Sequence, residues 1–289
     1  MRIAVLGASG FVGRALLPLL GEHEVVAVSR RPRDTDLTHV TPLAADVTDA
    51  EGVRRALAGA AVVYHLVHSL GSPDFAERDA LAADLVCREA ERARVRQIVY
   101  LGGLGDDSPD LSEHLRSRRE TGRRLAAGAV PVTTVRAAMI VGRGSAAFET
   151  IVALVDRLPG MITPRWVSTP TQPIALADVA RYLAGVAGRE ETFGETYDAG
   201  GPEVMTYREM IERIARLRGR RPLIVEVPVL SPRLSSLWLH LVTPVKAGVA
   251  RPLVEGLRNP TVAADARLRE LVPFEPTPFD EAARDALGA

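Results

Sequence analysis

The opening residues Met1-Arg2-Ile3-Ala4-Val5-Leu6 run directly into Gly7-Ala8-Ser9-Gly10-Phe11-Val12-Gly13, and no other stretch of the chain restricts the fold as much. A short apolar run, a glycine and then helical periodicity over Val12 to Leu20 predict a strand, a tight turn and the amino end of a helix. The glycine spacing has a physical reason. One glycine permits the turn, another lets backbone approach an anion closely, and the last lets the helix pack against the strand. Unpaired N–H groups and the dipole at the helix start favour a phosphate. A dinucleotide diphosphate is therefore expected on Gly7, Ala8, Ser9, Gly10, Phe11, Val12 and Gly13.

Strand and helix patterns then alternate along the first half of the chain. Apolar runs at Ile3 to Leu6, Val25 to Val28, Val62 to Leu66, Ile98 to Leu101 and Val132 to Val135 read as strands. Helical patterns near Val12 to Leu20, Val53 to Leu57, Phe75 to Arg92 and Leu115 to Ala127 fall between them. Such alternation predicts right-handed crossovers and a Rossmann-type α/β fold, with a doubly wound parallel sheet covered on both faces. Beyond Arg136 the texture changes: Pro159, Pro164, Pro170 and Pro173 interrupt a loop-rich stretch before helices near Ala177 to Val186 and Tyr207 to Arg218. The strand pattern returns near Glu195 to Tyr197 and Leu223 to Val225. The expected organisation is a dinucleotide-binding core over residues 1–155 and a small C-terminal substrate-binding lid over residues 156–289 that partly completes the same sheet.

Composition removes several function classes. Lys plus Arg and Asp plus Glu both number 36, so no global field draws the chain to nucleic acid or anionic lipid. The single cysteine, Cys87, excludes a disulfide framework and points to a reducing, cytoplasmic setting, with the side chain read as buried filler. The start of the chain reads straight into a strand, so no secretory leader is expected. The apolar region from Val227 to Leu257 is broken by Pro228, Pro232, Pro244 and Pro252 and carries charges, so it does not read as an integral membrane segment. No metal is expected, and the chain is read as a monomer or homodimer that takes a small-molecule substrate.

At the end of the second strand, an NAD-specific site would place a carboxylate against the ribose hydroxyls. Here the residues are Ser29-Arg30-Arg31. A guanidinium pairs bidentately with a 2′-phosphate that a carboxylate would repel, so NADP(H) is favoured over NAD(H). Asp46-Val47, at the end of the third strand, suits the adenine: the carboxylate accepts from the amino group and the valine packs on the ring. Capping a helix is the alternative role there, and Asp49 would fill it equally well.

The glycine motif, Ala45-Asp46-Val47, the strand end Tyr64-His65-Leu66-Val67-His68-Ser69 and Tyr100-Leu101-Gly102-Gly103-Leu104-Gly105 together resemble the atypical short-chain dehydrogenases/reductases, close to NmrA-like and YbjT-like NAD(P)-binding proteins. The resemblance continues through Thr163-Pro164-Arg165-Trp166, Gln172-Pro173-Ile174 and Arg251-Pro252-Leu253-Val254-Glu255-Gly256-Leu257. It implies a cofactor across the carboxyl ends of the strands, with the nicotinamide near Leu66, Val67, His68 and Ser69 and near Leu101, Gly102 and Gly103.

The usual catalytic set is a Tyr with a Lys four residues later and a Ser from the preceding strand end. Alignment by resemblance puts His114 at the Tyr position, Arg118 at the Lys position and Gly102 or Gly103 where the Ser would be. His114 is then the candidate proton donor, because imidazole titrates near neutral pH, and Arg118 would hold ribose hydroxyls or a phosphate. His68 with Ser69 is a second candidate pair. His65 should face away from Leu66 and pack. Arg136 is read either as a ligand contact or as half of an ion pair. Trp166, Trp238 and His240 would wall the substrate or pack the core, and Asp178 would cap a helix. Three functions are expected, in this order: an oxidoreductase moving hydride between NADP(H) and a small apolar carbonyl or enone, a non-catalytic NAD(P) sensor of NmrA-like type, and a sugar-nucleotide epimerase or dehydratase.

Overall fold

The computed structural model describes residues 1–69, 72, 74–105, 111–227 and 256–288. Among the described residues, seven parallel strands form the central sheet: β1 (Arg2–Leu6), β2 (Glu24–Ser29), β3 (Val40–Ala44), β4 (Val62–His65), β5 (Gln97–Gly103), β6 (Val132–Ala137) and, from the later half, β7 (Thr196–Ala199). Their order is β7-β6-β5-β4-β1-β2-β3. The order reverses beside β1, and the crevice above that switch point is where an open parallel sheet binds ligands.

Helices cover both faces. α1 (Phe11–Leu16) and α6 (Leu176–Val186) bury Val12, Leu16, Val179, Tyr182 and Leu183 against Ile3, Val5 and Val99. α2 (Ala50–Leu57), α3 (Phe75–Arg92) and α4 (Glu113–Leu125) bury Val53, Val86 and Leu125 against Ala4, Leu6 and Ile98. The alternation of a strand thus fills both cores at once, which is why these strands are apolar throughout. A further cluster lies entirely in the later part of the chain, where Phe148 and Leu154 of α5 (Ala146–Arg157) meet Met210 and Ile214 of α7 (Tyr207–Leu217). Among the described residues, three small two-stranded sheets support it, and Leu223–Val227 pairs with Gly160–Pro164 instead of joining the main sheet.

Local chemistry sets the helix starts. Asp49 accepts from the N–H of Gly52 at 2.9 Å and caps α2, Ser112 accepts from Leu115 at 3.3 Å and caps α4, and Thr206 with Glu209 forms a capping box on α7. The first helix is shorter than its periodicity predicts. It stops at Leu16 and continues as a 3-10 turn over Leu17–Leu20, because Pro18 has no N–H to continue the α-helical ladder. Asp178 also departs from expectation. α6 is capped by Ala175 without a side-chain bond, and Asp178, fully buried in the first turn, instead accepts from the N–H of Thr277 at 2.7 Å and from its hydroxyl at 3.1 Å. Cys87 is half-buried, not buried, and burial raises its thiol pKa.

Candidate functional site

A cavity of about 660 Å³ lies above the carboxyl ends of β1, β2 and β4. Gly7, Ser9 and Gly10 form one wall, Ser29 and Arg30 another, Asp46 and Val47 a third, and Leu66, Val67, His68 and Ser69 close the far end. Gly7 has φ 90°, and a Cβ there would stand 3.1 to 3.2 Å from the backbone of Leu66 and Val67. Only glycine turns the chain there without obstruction.

The first turn divides its amides between two jobs. Gly7 and Ala8 donate to the carbonyl of Val28 at 3.0 and 3.1 Å, and Gly10 donates to Gly7 at 2.9 Å. The first intrahelical donor is Arg14, to Gly10 at 3.0 Å, so the helix-start amides of Phe11, Val12 and Gly13 precede the ladder. The side chains of Ala8, Phe11 and Val12 do not line the cavity, and Val12 packs in the core. Gly13 faces the turn: a Cβ there would lie 2.6 Å from the Gly7 carbonyl oxygen and 2.7 Å from Ala8.

Past β2, Ser29 and Arg30 reach the cavity, whereas Arg31 lines neither it nor its neighbour. That neighbour, about 270 Å³, brings Arg14 and Arg33 together beside Ser9 and Ser29. Arg14 was not singled out in the sequence; its placement one turn into the phosphate-loop helix is the signal that points to it. The Asp46 carboxylate accepts from the N–H and hydroxyl of Thr48 at 2.9 and 2.8 Å. Burial would raise its pKa, but those bonds and the nearby Arg78 and Arg30 guanidiniums carry it below the usual carboxylate value.

At the far end the strand termini bring three elements together. His68 follows β4, Asp79 sits on α3, and His114 occupies the first turn of α4. His68 Nδ1 is 2.6 Å from the Asp79 carboxylate and His68 Nε2 is 3.1 Å from His114 Nδ1. Asp79 also accepts from the N–H of Ser69 at 2.9 Å. His68 lines the cavity, while His114 stands behind it, half-buried. Asp79 was not legible as a site residue, since nothing in a helical stretch of charged and apolar residues marks one carboxylate over another.

The expectation that His114 titrates near neutrality does not hold. Burial, with His68 and Arg118 adding positive neighbours, pushes its pKa down to about 3. Burial also lowers His68, against the pull of Asp79. His65 does face away from Leu66: it is buried at 1% exposure and packs near the ring of Tyr100.

Arg118 is held away from the cavity. Its guanidinium donates to the carbonyl of Leu101 and lies over the Tyr100 ring, whose hydroxyl donates back to the Arg118 carbonyl at 2.7 Å. Leu101 packs into the core on the α1 face. Gly102 and Gly103 line a separate cleft of about 370 Å³ with Arg118 and Arg136, and Arg136 is ion-paired to Asp198 at 2.7 Å. Trp166 falls in a 3-10 turn, Arg165–Ser168, and Trp238, His240 and residues 251–255 lie outside the described residues. Among the described residues no helix is long and apolar enough to cross a membrane, and no group of three or more His, Cys, Asp or Glu side chains could hold a metal ion.

A family described as NAD(P)H-binding matches residues 7–188. The mitochondrial NADH dehydrogenase (ubiquinone) 1 alpha subcomplex subunit 9 of Arabidopsis thaliana is 25% identical over 239 residues, 78% of this chain, and the chain spans only 60% of that relative's length. The (4-alkanoyl-5-oxo-2,5-dihydrofuran-3-yl)methyl phosphate reductase of Streptomyces griseus is 28% identical over 222 residues, 75% of this chain and 74% of the relative. Solved structures share the fold at low identity. A nucleoside-diphosphate-sugar epimerase of Staphylococcus aureus superposes with a TM-score of 0.80 at 17% identity over 98% of this chain and all of the other. The NADPH complex of an Escherichia coli quinone oxidoreductase gives 0.78 at 20% identity, over 98% of both chains. The NADP(H) complex of a Citrobacter triphenylmethane reductase gives 0.76 at 18%, over 99% of this chain and all of the other.

Proposed function

The chain belongs to the NAD(P)H-binding family, and from that premise we propose that it is an oxidoreductase acting between NADP(H) and a small, apolar carbonyl or enone substrate. The observation that carries this reading is that a single cavity is lined by the Gly7–Gly10 turn together with Arg30 and Asp46 from the ends beyond β2 and β3 and with Leu66 to Ser69 beyond β4, which suits a diphosphate at the turn with an adenosine half and a nicotinamide half on either side. When bound, the cofactor supplies or accepts hydride at its nicotinamide ring.

The remaining work falls to the chain's own groups. The amides of Phe11, Val12 and Gly13 and the dipole of α1 hold the diphosphate, with Ser9 beside them. Arg30 takes the 2′-phosphate, supported by Arg14 and Arg33 across the adjoining hollow, where they outnumber the single carboxylate of Asp34, and Ser29-Arg30-Arg31 puts none directly at the end of β2. Asp46, kept ionised, accepts from the adenine amino group while Val47 lies beside the ring. Leu66 and Val67 flank the nicotinamide. The substrate oxygen exchanges its proton with the His68–His114 pair, since both nitrogens of His68 are committed and, among the described residues, the one left over is His114 Nε2. The described residues of the later half, 156–227 and 256–288, would supply the lid. The free Cys87 keeps the cytoplasm as the proposed setting. Reductases acting on a phosphorylated oxo-dihydrofuran, a triphenylmethane and a quinone among the similar proteins support a conjugated substrate.

A second reading, an NAD(P)-binding sensor without turnover, is favoured by one observation: Gly102 and Gly103 offer no hydroxyl where a substrate-orienting serine would stand. Fluorescence titration with NADPH and NADH, followed by NADPH oxidation assays over a panel of enones and quinones, separates the two. The oxidoreductase reading expects tighter NADPH binding and turnover with at least one panel member. Arg30→Ala should weaken NADPH about tenfold or more and leave NADH nearly unchanged, consistent with loss of a charge-assisted bond of roughly 1.5–3 kcal/mol. Equal losses for both cofactors would remove the 2′-phosphate assignment, and absence of binding to either would remove the proposal.

A further inference from the structure

His68 at the far end of the cavity and the Asp79 and His114 side chains behind it fix one another's protons. Asp79 is 3% exposed and makes two bonds: one oxygen accepts from the Ser69 N–H at 2.9 Å and the other faces His68 Nδ1 at 2.6 Å. Burial would raise its pKa, but the bonds from His68 and Ser69 outweigh that and carry it below the usual carboxylate range. An ionised carboxylate only accepts, so His68 Nδ1 carries a hydrogen. Neutral His68 then has a lone pair on Nε2. The neighbour 3.1 Å away, His114 Nδ1, must therefore be the donor, which leaves His114 Nε2 bare.

We propose that Asp79 is a positioning residue that sets the tautomers of both histidines, so that the resting pair presents an unprotonated His114 Nε2 and must load one proton before it can donate. The proposal rests on the oxidoreductase reading only for its consequence, because the tautomers exist without cofactor or substrate. In the oxidative direction, bare Nε2 would take the hydroxyl proton of an alcohol as hydride passes from the carbon to the oxidised nicotinamide cofactor of the proposed function, and the pair would then release that proton to water. In the reverse direction hydride would come from the reduced cofactor. In the reductive direction, a proton from water must first be shared between the rings as His68 Nδ1–H, Nε2–H and His114 Nε2–H. Hydride then reaches the carbonyl carbon, the π pair moves to oxygen, and oxygen takes the His114 Nε2 proton. The His68 Nε2 proton passes to His114 Nδ1, which restores the resting pair.

The surroundings set how readily that extra proton is held. Asp79 from α3 stabilises it, whereas Arg118 from α4 and the buried His65 from β4 do not, and burial of both rings opposes it further. The pair consequently rests neutral at physiological pH. In the reductive direction the rate should rise about tenfold for each unit of falling pH across the neutral range, whereas alcohol oxidation should be flat there.

The test is ¹⁵N NMR of the six histidines in cofactor-free protein at pH 7.5, with His68 and His114 assigned. The wild type should show both rings as Nδ1–H tautomers, the form free imidazole side chains disfavour. Asp79→Asn keeps an oxygen for the Ser69 N–H and turns its amide NH₂ toward His68, so both rings should switch to Nε2–H. An Nε2–H tautomer on His114 in the wild type, or unchanged tautomers in Asp79→Asn, would overturn the proposal. If Asp79→Asn does not fold, His114→Gln decides: His68 must stay Nδ1–H, and a switch there refutes control by Asp79. None of these spectra needs turnover, so their failure is distinct from a failure of the NADPH assays.

Discussion

Replacing His65 with leucine should stabilise the protein, and by more in acid than at neutral pH. His65 is 1% exposed, between Leu6 and Tyr100 on the neighbouring strands, and neither ring nitrogen has a hydrogen-bond partner among the described residues. A buried polar group left unpaired costs roughly 1–3 kcal/mol, part of which leucine of similar size should return. The acid effect is separate. Burial first, and then the Arg118 charge, lower the His65 pKa from 6.5 to about 4.

At pH 7.5 the ring is neutral whether the chain is folded or not. At pH 5 the unfolded chain binds a proton there and the folded chain does not, so stability is present above pH 6.5 and is lost as pH falls toward 4. The loss between pH 7.5 and 5 is about 2 kcal/mol, at ~1.4 kcal/mol per pKa unit. His65→Leu should therefore gain about 1 kcal/mol at pH 7.5 and about 3 kcal/mol at pH 5 relative to the parent. Urea unfolding at both pH values, with the denaturant slope unchanged, measures both gains. A variant less stable at pH 7.5, with the same acid sensitivity as the parent, would refute the reasoning.

Other positions carry equally definite expectations. Gly13→Ala places a methyl 2.6 to 2.7 Å from backbone atoms that cannot rotate away, so it should cost at least the ~1–3 kcal/mol of ordinary overpacking and weaken NADPH binding. Gly21→Ala, whose added atom would meet nothing nearer than 3.8 Å, should be within ~0.5 kcal/mol of the parent, and thermal unfolding of the pair checks the contrast. Asp178→Ala removes two bonds to Thr277 and should cost about 2–3 kcal/mol. Hydrogen exchange should show the loss concentrated in the helix Phe279–Leu287, and uniform protection there would count against an anchoring role.

The parallel sheet and its glycine turn were legible because each signal is local. The apolar runs at Ile3, Val25, Val62, Ile98 and Val132 all became strands, and Gly7 takes the positive φ its place in the motif implies. Helix ends were less legible where a single residue overrides periodicity, as Pro18 does. The cofactor end of the site divided. Ser29, Arg30, Asp46 and His68 line one cavity, while Arg31, Leu101 and Gly102 do not. Strand alternation accounts for part of this, since Leu101 and Gly102 point to opposite faces of β5 and neither side chain position opens on the crevice.

The sequence by itself determined the strand, turn and helix that open the chain, the parallel sheet and the Ser29-Arg30-Arg31 run that puts cations and no carboxylate directly at the end of β2, because these depend on periodicity and on residues adjacent along the backbone. Only the tertiary structure decided which protons can move. It joined His68 to Asp79 across 11 positions and to His114 across 46, and it tied Arg118 to the Leu101 carbonyl. Those contacts arise from how α3 and α4 pack against the ends of β4 and β5. A side chain's partner and its pKa are properties of that packing and have no local sequence signal.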